Sequence, residues 1–528
     1  MKKYQRQNGA CFAGAMVCIL ISIAFAVVLQ FFKGDVLDHA LSGASAEALR
    51  YAVLLFACIL GEVLFYFIYK RLTARFVVGC TKLLKRDIFE SILRRGYVSY
   101  KQLSQGEYIA KYTNEADMIQ ARRFQMLPLF WEILFRIVFV SAALFLLDWR
   151  IALVTIGLLT TPLYIPKLIE KRLQRAQAEY VQAVEAALSR ITDWLNGFEI
   201  IKNYSVEKAI LRQFDEVNDL AMDKLLQDTT LGAVSQLITT LISYLSYFVV
   251  LAVAAWLVLK GDFTAGNFFV AIGMIDQLSY PLISLAEIIR KLVSVRPSCH
   301  AMERFIKEGS GPSESKRLSE LRSGIRYDGV SFAYPNAQPI LKDLDFEVKK
   351  GKRYLIQGPS GCGKTTAVNL LLRYYDVTGG SIEIDGTPLS AYDSTYDCMT
   401  VVRQEAVLFH DSLRNNLTMY REIADEKLVH VLSDLGLGKY ATAQALDETV
   451  SENGANLSGG EKKRICLARA LLRDTDVLIL DEPLANLDEA TAQKIEDLLL
   501  SIEGRTMLVV SHQFSERKLS RFDGVLSF

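Results

Sequence analysis

Charge of one sign is what this 528-residue chain has little of: Lys and Arg number 60, Asp and Glu 59, and the formal net charge is +1. That balance excludes a chain-wide polyanion binder, nucleic-acid binders included, and an acidic disordered tail as the main feature. Proline is scarce at 11 and glycine stands at 32, too few for a collagen-like or low-complexity chain. The cysteines lie at 11, 18, 58, 80, 299, 362, 398 and 466, with no C-x-x-C pair and no histidine cluster beside them. The common zinc-site spacings are therefore absent. Thiols scattered so thinly also argue against a disulfide framework and for a reducing, cytosol-facing setting. The length exceeds one ordinary domain, and two or three are expected.

What the chain does have is nearly charge-free apolar sequence, confined to its first 300 residues. About 20 apolar residues cross a bilayer as a helix, and the runs predict six crossings, at about 10–32, 51–69, 127–147, 151–169, 237–259 and 268–295. The first follows Lys2, Lys3 and Arg6, and Ala24-Phe25-Ala26 imitates a signal-peptide cleavage site. Its apolar run continues to Phe32, longer than a signal-peptide core, so it reads as a retained helix. Basic residues crowd the segments 70–126 and 167–224, whereas the opposite loops hold only Lys33, Arg50, Arg150 and Lys260. Both termini and both long connections are thereby predicted on the cytoplasmic side.

Ionisable residues inside apolar spans are costly and point to function. Glu62, Glu132, Arg136 and Asp276 are the candidates for a substrate cavity. Glu287 and Arg290 read instead as cytoplasmic helix ends in water. The two long connections are rich in Ala, Leu, Glu, Lys and Gln, which favours helix. The membrane helices should therefore extend well into the cytoplasm. Each connection has one weak point, Gly106 and Asn196-Gly197, where a reversal would present a short helix below the membrane.

After residue 295 the composition changes. A membrane domain over 1–305, a linker over 306–323 and an α/β domain over 324–528 are expected, since short β-rich runs then alternate with helical stretches. In that last domain YLIQGPSGCGKTT, residues 354–366, is a strand running into G-x-x-x-x-G-K-[ST]. Gly358, Gly361 and Gly363 let backbone N–H groups converge on phosphate. Lys364 supplies charge to the terminal phosphates and Thr365 a hydroxyl for Mg²⁺. VLILDEP, residues 477–483, reads as a buried parallel strand delivering Asp481 and Glu482 at its carboxyl end. Asp481 would hold Mg²⁺ and Glu482 would accept a proton from attacking water. LSGGEKKRICLARALL begins at Leu457, and Ser458, Gly459 and Gly460 open a helix with another phosphate-ready end. One γ-phosphate has no use for two such ends in one domain. Two copies facing each other do.

With these motifs in this order, the chain resembles, over essentially its whole length, an ABC transporter half-molecule of the exporter-type fold. GPSGCGKTT, LSGGE and ILDEP match the Walker A, signature and Walker B motifs. Gln404 in VVRQEAVLF matches the Q-loop, and His512 in VVSHQ the switch histidine. Tyr334 matches the aromatic residue that stacks on adenine, and TVSENG at 449–454 the exporter X-loop with Glu452 as its acid.

The resemblance implies an all-α polytopic membrane domain of six helices, followed by an α/β P-loop ATPase domain. It implies ATP and Mg²⁺ as cofactors and a second half-transporter as partner, in homodimer or heterodimer. ATP would be held by Tyr334, by the loop residues Gly358, Pro359, Ser360, Gly361, Cys362, Gly363, Lys364, Thr365 and Thr366, and from the other subunit by Ser458, Gly459, Gly460 and Glu461. Thr365, Gln404 and Asp481 would bind Mg²⁺. Glu482 would be the base, helped by His512, Lys364 and Gln404. The segments 106–117 and 197–212 match the two coupling-helix regions. The implied activity is ATP hydrolysis coupled to export of a lipophilic compound, peptide or lipid across a bacterial plasma membrane. An importer of a metal chelate or haem, or an ATP-gated channel, is the alternative. Pro483, Asn486 and Glu461 depart from the common exporter pattern, which leaves open how the two ATP sites communicate.

Overall fold

The computed structural model describes residues 1–160, 165–309, 316–335, 338–359, 361–485, 487–511 and 516–528. It divides into two compact units, Met1–Leu93 with Ser104–Gly309, and Arg94–Leu103 with Ser310–Phe528.

The described residues of the first unit form helices joined by short turns, with no strand among them. Among the described residues, five helical stretches are long and apolar enough to cross a membrane: Gly9–Leu41, Ser45–Leu93, Gln105–Leu147, Glu207–Leu259 and Ala265–Glu308. They contain five of the six predicted crossings. The fourth, 151–169, starts in the helix Trp149–Leu159 and ends in the helix Ile165–Asn196, and 161–164 lie outside the described residues. Ser45–Leu93 and Glu207–Leu259 have 49 and 53 residues. At 1.5 Å per residue each runs at least about 70 Å, more than twice the ~30 Å hydrocarbon core. They must continue far into water.

Two of the spans approach closely at glycine. A Cβ on Gly266 would sit 2.4 Å from the Gly34 carbonyl oxygen, so only a residue without one lets these helices touch. The Asp38 carboxylate accepts the Gly266 N–H at 2.7 Å across the same crossing. That bond satisfies one of the amides that a helix start leaves without an intrahelical partner.

The first reversal between long helices lies elsewhere than the sequence suggests. The Ser45–Leu93 helix is followed by a short helix, Tyr97–Lys101, and the next helix begins at Gln105. Ser104 caps it reciprocally. Its Oγ accepts the Glu107 N–H at 3.3 Å, and Glu107 Oε2 accepts the Ser104 N–H at 2.6 Å. Gly106 therefore occupies the first turn of a continuing helix, and 106–117 is not the reversing segment. The S-x-x-E pattern at 104–107 was the legible signal for this boundary. The second reversal falls where Asn196-Gly197 suggested, with the short helix Phe198–Asn203 between the two long ones.

Among the described residues of the second unit, nine strands form two sheets. They are β1 Gly324–Phe332, β2 Leu341–Lys349, β3 Arg353–Gln357, β4 Gly379–Ile384, β5 Thr387–Pro388, β6 Met399–Val402, β7 Val477–Asp481, β8 Thr506–Val510 and β9 Gly524–Ser527. An antiparallel sheet runs β2-β1-β4-β5, and a parallel sheet runs β6-β7-β8-β3-β9. Every residue of β7 and β8 is buried, as the continuous apolar runs VLIL and MLVV require in a sheet covered on both faces. The helix Gly459–Leu472 packs into the core beside them through Ile465, Leu467, Ala468 and Leu472.

Candidate nucleotide site at the carboxyl edge of the parallel sheet

Strand register brings the motifs together. Ile356 of β3 pairs with Val510 of β8, and Val510 pairs with Asp481 of β7. The chain therefore leaves all three strands at one level. From there β3 runs into the glycine-rich loop, β7 into Glu482, and β8 into Ser511. This is the edge at which parallel α/β sheets hold ligands. A pocket of about 500 Å³ opens there, lined by Gly361, Gly363, Lys364, Thr365, Thr366, Gln404, Asp481 and Glu482 among others. The glycine-rich loop and the acidic pair, more than 100 residues apart in sequence, thus share one site. Ser360 and His512 lie outside the described residues.

Gly363 shows why the loop needs glycine. Its φ is +104°, and a Cβ there would meet the Leu341 side chain at 2.4 Å. The helix Lys364–Leu371 begins at the next residue. Lys364 is buried, and its Nζ donates to the carbonyls of Gly358 at 2.8 Å and Pro359 at 2.9 Å. The ammonium is thus held by its own loop in the position from which it can turn to a phosphate.

Asp481 is 6% exposed. Burial pushes its carboxyl above the usual range, although Arg403, Lys463 and Lys364 pull it back. Glu482 follows in the left-handed region at φ +50°, a conformation that costs a residue with a side chain about 1–3 kcal/mol. Its N–H donates to the Val510 carbonyl at 2.8 Å, and Ser511 Oγ donates to its Oε2 at 3.4 Å. The forced turn directs the Glu482 carboxylate into the pocket beside Asp481 instead of along the strand.

One residue of this site escaped the sequence reading. Lys463, on the signature helix, is 4% exposed. Its Nζ donates to the carbonyls of Arg403 at 2.7 Å, Gln404 at 3.0 Å and Asp481 at 3.3 Å. A single ammonium ties the signature helix to the backbone of the glutamine and of the acid. Burial lowers its pKa, with nearby anionic groups opposing. A lysine inside a basic run, EKKR, looks solvated, and only the fold shows which of the two lysines turns inward.

Ser458 caps the signature helix as Ser104 caps its own. Ser458 Oγ accepts the Glu461 N–H at 3.2 Å, and Glu461 Oε2 accepts the Ser458 N–H at 2.8 Å. Burial alone would raise the Glu461 carboxyl, but bonds from Lys439 and Ser458 outweigh it and hold the pKa at about 2. The Lys439 ion pair offsets a negative charge at a helix start that is otherwise ready for phosphate. Gly459 and Gly460 form the first turn, and a Cβ on Gly459 would meet nothing within 4 Å.

Tyr334 sits apart from the phosphate loop's glycines but next to its helix, with its hydroxyl 3.3 Å from Thr366 Oγ1. Its ring meets Tyr375 edge-on at 5.1 Å. Tyr375 in turn meets Tyr97 at 5.9 Å, and Tyr97 stacks on Tyr374 with centroids 4.0 Å apart and planes 7° apart. The Arg403 guanidinium lies 5.3 Å from the Tyr374 ring. The short helix between the long membrane helices is therefore joined by aromatic contacts to both the candidate adenine platform and the residue before Gln404.

The candidate membrane charges separate in the helical unit. Glu132 is buried and pairs with Lys70 at 3.5 Å. Glu62 and Arg136 are half-buried, and Asp276 is exposed on its helix. Glu287 pairs with Lys291 one turn on, at 2.6 Å.

Comparison with known proteins agrees with this geometry. Residues 10–282 match the ABC transporter transmembrane region and residues 341–485 the ABC transporter ATPase family. The ATP-dependent lipid A-core flippase of Syntrophus aciditrophicus (strain SB) is 26% identical over 97% of this chain and 87% of the relative. The flippase of the same name from Pseudoalteromonas translucida (strain TAC 125) is 27% identical over 96% and 90%. In fold, a bacterial Atm1-family ABC exporter with ATP bound superposes with a TM-score of 0.81 at 23% identity, covering all of this chain and 94% of the other. A helical membrane unit and an ATPase unit in one chain, with both family patterns in sequence, make this chain an ATP-driven transporter subunit that belongs to the ABC transporter family.

Proposed function

We propose that this chain pairs with a second half-transporter, as a homodimer or heterodimer, and exports a lipid or similarly amphipathic compound by alternating access. The N-terminus and the ATPase unit would face the cytoplasm of a bacterial cell. The observation that carries the hydrolytic part is the convergence of Lys364, Thr365, Gln404, Asp481 and Glu482 on one pocket. Two relatives named as lipid A-core flippases favour a lipid among the possible cargoes.

In this reading ATP lies with its adenine against Tyr334 and its phosphates in the loop 358–366. Thr365, Asp481 and Gln404 offer hard oxygen donors suited to Mg²⁺, which usually keeps most of its shell as water and substrate phosphate. The bound ion would neutralise charge on the terminal phosphates. Lys364 exchanges its loop carbonyls for phosphate oxygens and stabilises the transferring group. Glu482 accepts the proton of the attacking water. Ser458 and Gly460 of the other subunit close the site, with His512 on the γ-phosphate.

Closure reaches the membrane helices through the 94–103 segment, whose Tyr97 touches both Tyr374 and Tyr375. The decisive experiment places the purified chain in proteoliposomes and follows a fluorescent lipid between leaflets with ATP. Glu482→Gln should still bind ATP while turnover falls by about 100-fold or more. Full ATPase activity in that variant would refute the base. ATP-driven uptake of a metal chelate or haem, without lipid movement, would replace export by import.

A further inference from the structure

The helical unit carries a basic concavity that none of the chemistry above uses. It is a pocket of about 560 Å³ lined by Met1, Lys2, Lys3, Arg123, Arg296, Cys299, His300 and Glu303. Three segments distant in sequence build it: the short helix Lys2–Gln7, the π-helical stretch Gln120–Phe124, and the helix Arg296–Glu308. Each borders a membrane span, at the start of Gly9–Leu41, just before Met126–Leu147, and just after Ala265–Ser294.

Its charge is unbalanced. Glu303 is the one acid in the lining, and the terminal ammonium already engages it. Lys3 pairs with Asp87 at 2.9 Å, and Asp87 also takes the Tyr4 hydroxyl at 2.9 Å. Lys2, Arg123 and Arg296 have no ion-pair partner among the described residues. Three uncompensated cations thus converge from three helices on one cavity. Tyr4 is buried beneath it, which holds the short helix against the bundle and keeps Lys2 and Lys3 in place.

We propose that this pocket binds a phosphate-bearing anion, supplied either as the headgroup of an anionic phospholipid in the adjoining leaflet or as soluble phosphate. Arg123 and Arg296 would contact the phosphate oxygens, since guanidinium groups suit bidentate contact with such anions, and Lys2 would add charge from the side. Basic pockets between spans at a cytoplasmic surface favour anionic headgroups in this way. The lipid source rests on the proposed orientation, with the N-terminus cytoplasmic, but binding itself is read without ATP or transport.

The test uses the full chain in vesicles of phosphatidylcholine with and without phosphatidylglycerol, followed by detergent extraction and native mass spectrometry. The native chain should retain phosphatidylglycerol in preference to phosphatidylcholine. Arg123→Gln with Arg296→Gln should lower that retention by about fivefold or more while leaving phosphatidylcholine unchanged, given the cost of each lost cation near an anionic surface. Lys2→Gln alone, at an exposed site where folding is not at stake, should lower it by a smaller factor. Millimolar inorganic phosphate forms a separate arm. If it displaces the retained lipid from the native chain, the soluble anion is the stronger ligand; if lipid persists, the headgroup is. Equal retention of phosphatidylglycerol by native and double-variant chains, with no phosphate-dependent change in either, would overturn the proposal. Lipid retention that follows the variants in a chain without transport activity would leave this site standing and remove only the export reading.

Discussion

Asp481 and Lys463 are buried charges that meet at one backbone carbonyl, and each carries a prediction. Because burial raises the Asp481 carboxyl, the folded protein takes up its proton at a higher pH than an ordinary aspartate does. The unfolded chain binds that proton more weakly, so this group's contribution to stability falls as pH rises through the window just above 3.8. In the proposed function Asp481 would hold Mg²⁺, which requires its ionised form. Mg²⁺-dependent affinity for a fluorescent ATP analogue should therefore weaken on acidification sooner than for an unperturbed carboxylate. Asp481→Asn should remove both the Mg²⁺ dependence and this pH dependence, and an unchanged pH profile in that variant would refute the assignment. Lys463→Met removes the donor to three carbonyls and leaves buried acceptors unmet, at about 1–3 kcal/mol for each that finds no water. Thermal unfolding should drop by several degrees, and kcat should fall further than the affinity for ATP, because Gln404 and Asp481 lose their common anchor. Loss of stability with kcat intact would reduce Lys463 to a packing residue.

At the scale of elements, the reversals decide what the long helices can transmit. Ser104 and Glu107 share a reciprocal cap, and Ser104→Ala should cost about 1 kcal/mol, measurable by thermal or denaturant unfolding of the full chain. The short helix Tyr97–Lys101 stands in front of that cap. Tyr97→Ala removes a stacked pair worth about 0.5–1.5 kcal/mol beyond its buried area. Basal ATP hydrolysis should survive, while its stimulation by transported lipid should fall severalfold. Tyr97→Phe keeps the ring and should restore the stimulation. If Tyr97→Ala leaves stimulation intact, the aromatic contacts carry no coupling. The identity of this segment was not readable from composition, because glycine at 106 drew attention to a place where the backbone is helical. The capping residues two positions earlier and one later were the better guide.

At the scale of the whole molecule, the proposed dimer makes each ATP site composite. A dimer assembled from one chain with Lys364→Ala and one with Gly460→Asp would have both defects in one site and an intact second site. Neither parent homodimer would have an intact site. Single-turnover ATP hydrolysis should therefore reappear when the two variants are co-expressed and co-purified, and no recovery would argue against sites shared between subunits. The nearly complete absence of net charge also gains meaning at this scale. It averages a membrane unit with nearly charge-free spans and an ATPase unit with charges of both signs, so it describes neither.

Local sequence alone made the motifs of the candidate nucleotide site and the apolar extent of most spans legible. A glycine-rich loop and an acidic pair after an apolar strand are short-range patterns, and their physics is local: backbone that can bend around phosphate, and apolar runs that must leave water. Tertiary structure decided what depends on contacts between distant segments. It set the register that levels Ile356, Val510 and Asp481 and turned Lys463 inward. It also stacked Tyr97 on Tyr374 and closed the Gly34–Gly266 crossing. Those features depend on which surfaces meet after the chain has folded, and no window of sequence contains both partners.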